Sequence, residues 1–74
     1  MVKFTNIEIR DGYIYSNVTD MNSDVKAKVR LRLEHGNEDY KYYGDMTENM
    51  VKALWNLRSL YHKHGRLNET EVVN

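Results

Sequence analysis

The sequence predicts an α+β domain in which a four-stranded antiparallel meander sheet is packed on one face by a single C-terminal amphipathic helix, in the order ββββα. Three observations predict it. Asp11-Gly12 stands between two runs of alternating apolar residues, Val25 to Leu33 alternate without a fault, and from Asp45 onward the apolar spacing lengthens from 2 to about 3.6.

The first hairpin is read from "IEIRDGYIYS". A type I′ turn needs positive φ at both central positions, which Asp-Gly supplies at little cost. Closing the turn there sets Arg10 against Tyr13, Ile9 against Ile14, Glu8 against Tyr15, Ile7 against Ser16 and Thr5 against Val18. Thr5, Ile7, Ile9, Ile14, Ser16 and Val18 then share one face. Phe4, Asn6, Glu8, Arg10, Tyr13, Tyr15 and Asn17 share the other.

The third strand follows the polar segment "TDMNSD", with Val25, Ala27, Val29, Leu31 and Leu33 facing inward and Lys26, Lys28, Arg30 and Arg32 outward. A two-residue loop at Gly36-Asn37 predicts a fourth strand with Leu33 opposite Tyr40, Leu31 opposite Tyr42, Arg32 beside Lys41 and Arg30 beside Tyr43. A slip of one residue there would exchange the faces.

The helix is predicted over about residues 46 to 64, with Met46, Met50, Ala53, Leu54, Leu57, Leu60 and Tyr61 on its apolar stripe. Asp45 or Thr47 can cap its start, and Gly65 is placed to end it in a left-handed C′ conformation. Residues 67–74 are polar and unpartnered in sequence terms, so 1–66 are expected to form the domain and 67–74 a disordered tail.

Composition narrows function by exclusion. Seventy-four residues are one domain with a small core, for which self-association into a homodimer would help. Eleven basic and eleven acidic side chains cancel, which excludes a uniformly basic nucleic-acid protein. The absence of cysteine removes disulfides, thiolate chemistry and cysteine-zinc sites and suits a reducing cytoplasm. Charges at Lys3, Glu8, Arg10 and Asp11 interrupt any apolar leader, and no stretch resembles a membrane span. His62 and His64 lie two apart on a helix and cannot share a metal ion, and His35 sits in a turn. The sequence therefore predicts no metal and no cofactor. Ser16, Ser23 and Ser59 have no evident His/Asp partner, and four glycines form no phosphate loop, so no enzyme is expected.

Two surfaces remain. The wet sheet face gathers Lys26, Lys28, Arg30, Arg32 and Lys41 with Tyr13, Tyr15 and Tyr43, and cations interleaved with tyrosines suit single-stranded nucleic acid, phosphates on the charges and bases on the rings. The bland alternative is a solvated strand face, for which Lys and Arg stems and tyrosine rings are equally suitable. On the helix, Val51, Trp55, Arg58 and His62 lie opposite the Met46/Met50/Leu57 stripe. A lone tryptophan beside an arginine marks an expected partner interface, either an isologous helix contact between two copies or an adaptor surface for another protein, the alternative being a surface tryptophan partly covered by the tail "LNETEVV". The element order also resembles that of the small single-stranded-DNA-binding transcriptional coactivators, which dimerise and bind through their sheets. That resemblance is one of element order and carries over no site residue.

Overall fold

The computed structural model describes residues 1–34 and 39–74. Among them the elements run β1 (Val2–Arg10), β2 (Tyr13–Asp20), β3 (Val25–Arg32), β4 (Tyr40–Gly44), α1 (Glu48–His64) and β5 (Glu71–Val73). All strands join one antiparallel sheet in the order β4-β3-β2-β1-β5, and α1 packs on one face of it. The α+β class and the meander are as the sequence predicts. The sheet has a fifth strand that the sequence reading left out.

The Asp11-Gly12 turn forms with φ of 53° and 81°, and the register next to it is Arg10–Tyr13, Ile9–Ile14 and Glu8–Tyr15. Beyond Glu8 the expected register fails. Asn6 and Ile7 together face Ser16, so the pairing resumes one step out of phase as Thr5–Asn17 and Phe4–Val18. Asn6 adopts a left-handed φ of 54°, and the Ser16 hydroxyl shares its proton between the carbonyls of Thr5 (3.0 Å) and Asn17 (2.7 Å). This is a β-bulge, and it reverses which parity of β1 faces the helix. Phe4, expected on the wet face, is fully buried with Val2, whereas Thr5 turns outward.

β5 exists because of that change. With Val2 and Phe4 pointing inward, the same residues turn their backbone groups to the free side of β1, where Val73 and Glu71 pair with them. Residues 67–74 are thus not a disordered tail. Ile7 N–H donates to Glu69 O at 3.0 Å, Asn68 N–H to Glu71 Oε2 at 2.8 Å, and Asn56 Nδ2 on α1 to Asn74 O at 2.7 Å. Val73 enters the core.

The β3–β4 pairing also differs from expectation. Leu31 faces Tyr40, Arg30 faces Lys41, Val29 faces Tyr42 and Lys28 faces Tyr43. The slip is two residues rather than one, so every side chain keeps its predicted face while its cross-strand neighbour changes. The Gly36-Asn37 turn lies outside the described residues.

The helix begins at Glu48, not at 46, because Asp45 is still held by the sheet through its N–H to Lys26 O at 3.2 Å. Thr47 is the N-cap, its Oγ1 accepting from Met50 N–H at 3.2 Å, and Gly65 closes the other end with φ 74° and its N–H on Tyr61 O. Met50, Ala53, Leu54 and Leu57 meet Phe4, Ile14, Val18, Val29 and Leu31 in one core, with Leu60 and Trp55 packed at its margin. No helix among the described residues is long and apolar enough to cross a membrane.

Candidate nucleic-acid interface

Alternation along β3 fixes the outward side of Lys26, Lys28, Arg30 and Arg32, and the registers on either side decide what stands next to them. Tyr13 lies opposite Arg32, Tyr15 opposite Arg30, Asn17 opposite Lys28, and Thr19 opposite Lys26. On the other side Lys28 faces Tyr43 and Arg30 faces Lys41. The tyrosines of β2 and β4 therefore share the cations' face, and Lys41 extends the row. Arg10 joins at the far edge of β2 beside Tyr13.

The rings differ in what they have free. Arg10 Cζ sits 3.9 Å from the Tyr15 ring centre, and Arg30 and Arg32 sit 4.5 and 4.9 Å from that of Tyr13. Arg32 Nη2 also donates to the Tyr13 hydroxyl at 2.8 Å. Tyr13 and Tyr15 are half-buried rings that order guanidinium groups. Tyr43 is 83% exposed. Of the predicted stacking rings, only Tyr43 presents an open face.

The cations also divide. Arg10 pairs with Glu8 (3.3 Å), Lys26 with Asp24 (2.8 Å) and Arg32 with Asp39 (3.5 Å). Lys28, Arg30 and Lys41 have no acid within ion-pair distance among the described residues. Among the described residues the acids therefore pair at the margins of the face and leave its β3–β4 centre positive. A shallow groove of about 430 Å³ runs beside that centre, lined by Thr5, Asn17, Thr19, Lys26, Lys28 and Tyr43. Sequence reasoning missed Thr5 and the groove, because the bulge at Asn6 is what turns Thr5 outward.

The helix stripe has a different fate. Arg58, expected on a free interface, is 5% exposed, and its Nη1 donates to the carbonyls of Arg32 (3.3 Å) and Glu34 (3.2 Å). His62 Nε2 lies 2.6 Å from Leu33 O. Trp55 is half-buried, edge-on to Tyr40 at 5.6 Å, with Arg58 Cζ 5.0 Å from its ring centre, and Val51 is half-buried one turn before it. Trp55, Arg58 and His62 thus meet the end of β3 and the start of β4. The outward side of α1 is polar instead, carrying Glu48, Lys52, Asn56, Ser59 and Lys63.

No group of three His, Asp or Glu side chains among the described residues is arranged to hold a metal ion. Comparison with family models, with curated proteins and with solved structures returned no match.

Proposed function

We propose that the chain is a small non-enzymatic binding module of the cytoplasm that contacts single-stranded nucleic acid through its outer sheet face. Lys28, Arg30 and Lys41 hold phosphates, and Tyr43 stacks on a base seated over the adjoining groove. The observation that carries this reading is the register: three cations with no acid partner among the described residues stand around an 83%-exposed tyrosine on one face. Lysine and arginine supply a salt-dependent, sequence-independent attraction, and an open tyrosine ring adds stacking to any base. Arg10, Arg32, Tyr13 and Tyr15 order the margin. Lys26 contributes once its exposed pair with Asp24 is exchanged, since such pairs are worth little.

The test is titration of a labelled single-stranded oligonucleotide at two salt concentrations. Three phosphate contacts predict log K falling against log salt with a slope of about −2, at ~0.7 per phosphate on a single strand. No binding at low salt, or binding that ignores salt, ends this reading. The rival reading, a protein contact through Val51, Trp55, Arg58 and His62, has less surface at its disposal because Arg58 is enclosed and Trp55 is packed on Tyr40.

A further inference from the structure

We propose that two copies of this chain pair antiparallel along their β4 edges, about a two-fold axis at Tyr42, so that the two outer faces become one. The use of the joined face rests on the nucleic-acid reading above; the pairing itself does not.

The sheet ends in two unlike edges. β5 is three residues long, whereas β4 is five. In β3–β4 the bonded pairs are fixed by Arg32 N–H on Asp39 O and Asp45 N–H on Lys26 O. Bonded and non-bonded pairs alternate in an antiparallel ladder, so Lys41 and Tyr43 turn their backbone groups to β3 while Tyr40 and Tyr42 turn theirs to the side of β4 that no strand among the described residues occupies. An antiparallel partner centred on Tyr42 receives those groups directly. Tyr42 exchanges both of its bonds with Tyr42 of the second copy.

The side chains match the same axis on both faces. On the helix side, Trp55 meets Tyr40 edge-on at 5.6 Å and Tyr40 stacks on Tyr42 at 6.3 Å with ring planes 26° apart. That aromatic row stops at Tyr42, which is 53% exposed at the sheet edge. The next ring it would meet is its own symmetry mate. Tyr40 falls opposite Gly44 of the second copy, which offers no side chain to obstruct its ring. On the outer face Lys41 falls opposite Tyr43 of the second copy, and Tyr43 opposite its Lys41, so a cation meets a ring and not another cation. Each cross-sheet row then reads Arg30, Lys41, Tyr43, Lys28, its last two members supplied by the second copy. A single chain carries only half of each row.

The geometry also supplies a selective variant. Proline at position 42 removes an N–H that faces solvent and leaves the β3–β4 bonds untouched, a placement that edge strands accept. Size-exclusion chromatography with light scattering is run on wild type, Tyr42→Pro and Tyr42→Asp from dilute solution to the highest soluble concentration, with circular dichroism to check folding. Wild type is expected to rise from 8.8 kDa towards twice that mass. Tyr42→Pro is expected to stay at the monomer mass with an unchanged spectrum. If the proline variant fails to fold, Tyr42→Asp decides, because it sets two carboxylates against each other on the axis. A wild type that is monomeric throughout overturns the proposal, as does a dimer that survives in the folded variants. Oligonucleotide titration of the same samples separates the two readings. A dimer that binds no oligonucleotide keeps the pairing and removes the nucleic-acid function, and a monomer that binds one does the reverse.

Discussion

Thr47 Oγ1 donates to Asp20 Oδ2 at 2.6 Å while accepting the Met50 N–H at 3.2 Å. One hydroxyl thus caps the helix and ties its first turn to the end of β2. Its own N–H reaches Met50 Sδ at 3.4 Å, where a carboxylate commonly stands in this arrangement. Thr47→Ala is expected to cost about 1 kcal/mol in urea denaturation, the usual effect of losing an N-cap oxygen, and Thr47→Ser to retain most of it. Equal stability of wild type and the alanine variant would remove the cap from the account.

Asp20 gives the fold an acid sensitivity of defined sign. The residue is 2% exposed, and its carboxyl is held below the ordinary value of 3.8 chiefly by the Thr47 hydroxyl, then by the Asn22 N–H, with a smaller contribution from Asn49; burial works in the opposite direction. Because the folded pKa lies below the unfolded one, the stabilisation is complete above pH 3.8 and is lost as pH falls through the folded value. Asp20→Asn should therefore flatten the stability curve below about pH 4 relative to wild type. Thermal melts at a series of pH values decide this. Parallel curves for the two proteins would show that another carboxylate governs acid unfolding.

Arg58 is the second polar group whose loss should be felt globally. Replacing it by alanine removes a donor from the carbonyls of Arg32 and Glu34 and uncovers one face of Trp55, and is expected to cost about 2–3 kcal/mol. Arg58→Lys should recover only part of this, because an ammonium can donate to both carbonyls as the single Nη1 does but cannot lie flat on the indole. Urea denaturation measures both, and an alanine variant within ~0.5 kcal/mol of wild type would reduce Arg58 to an ordinary surface residue.

The features legible in the sequence are those with local causes. Asp11-Gly12 could close only one kind of turn, β3 alternates in the chain itself, and Thr47 and Gly65 bound a helix whose stripe is continuous. The bulge was written more faintly. Val2 and Phe4 are apolar on even positions and Ile7 and Ile9 on odd ones, and a single alternation cannot contain both. β5 was not legible, because its partner is the side of β1 that the bulge frees, almost the whole chain away. Nor was Arg58. A helical wheel shows that it leaves the apolar stripe but not that the end of β3 waits there with carbonyls to satisfy. On the outer face, parity could give the company of the cations, but which rings remain open depended on how the arginines of β1 and β3 lie on Tyr13 and Tyr15.

The bulge can be tested at Asn6. Its φ of 54° is one that asparagine tolerates and glycine prefers, whereas a β-branched side chain is driven out of it. Asn6→Gly should leave stability nearly unchanged, and Asn6→Val should lower it by about 1–2 kcal/mol. If the valine variant is as stable as wild type, β1 pairs without the bulge and Phe4 has another route into the core.

The sheet face makes the sharpest distinction between individual side chains. Lys28→Ala, Arg30→Ala and Lys41→Ala should each lower the salt slope of oligonucleotide binding by ~0.7, because each removes one phosphate contact, and the two lysine variants should leave stability unchanged. Tyr43→Ala should weaken binding by about 1–3 kcal/mol with the slope unchanged, since it removes a stacking ring and no charge, and Tyr43→Phe should bind as wild type does. Lys63→Ala, on the exposed side of α1, should do nothing. Tyr13→Ala is the informative contrast. That ring is covered by Arg30 and Arg32, so its loss should act through arginine order and lower thermal stability together with affinity. If Tyr13→Ala and Tyr43→Ala weaken binding alike without touching stability, the bases reach β2 as well as β4, and Arg30 must leave the Tyr13 ring when the strand docks.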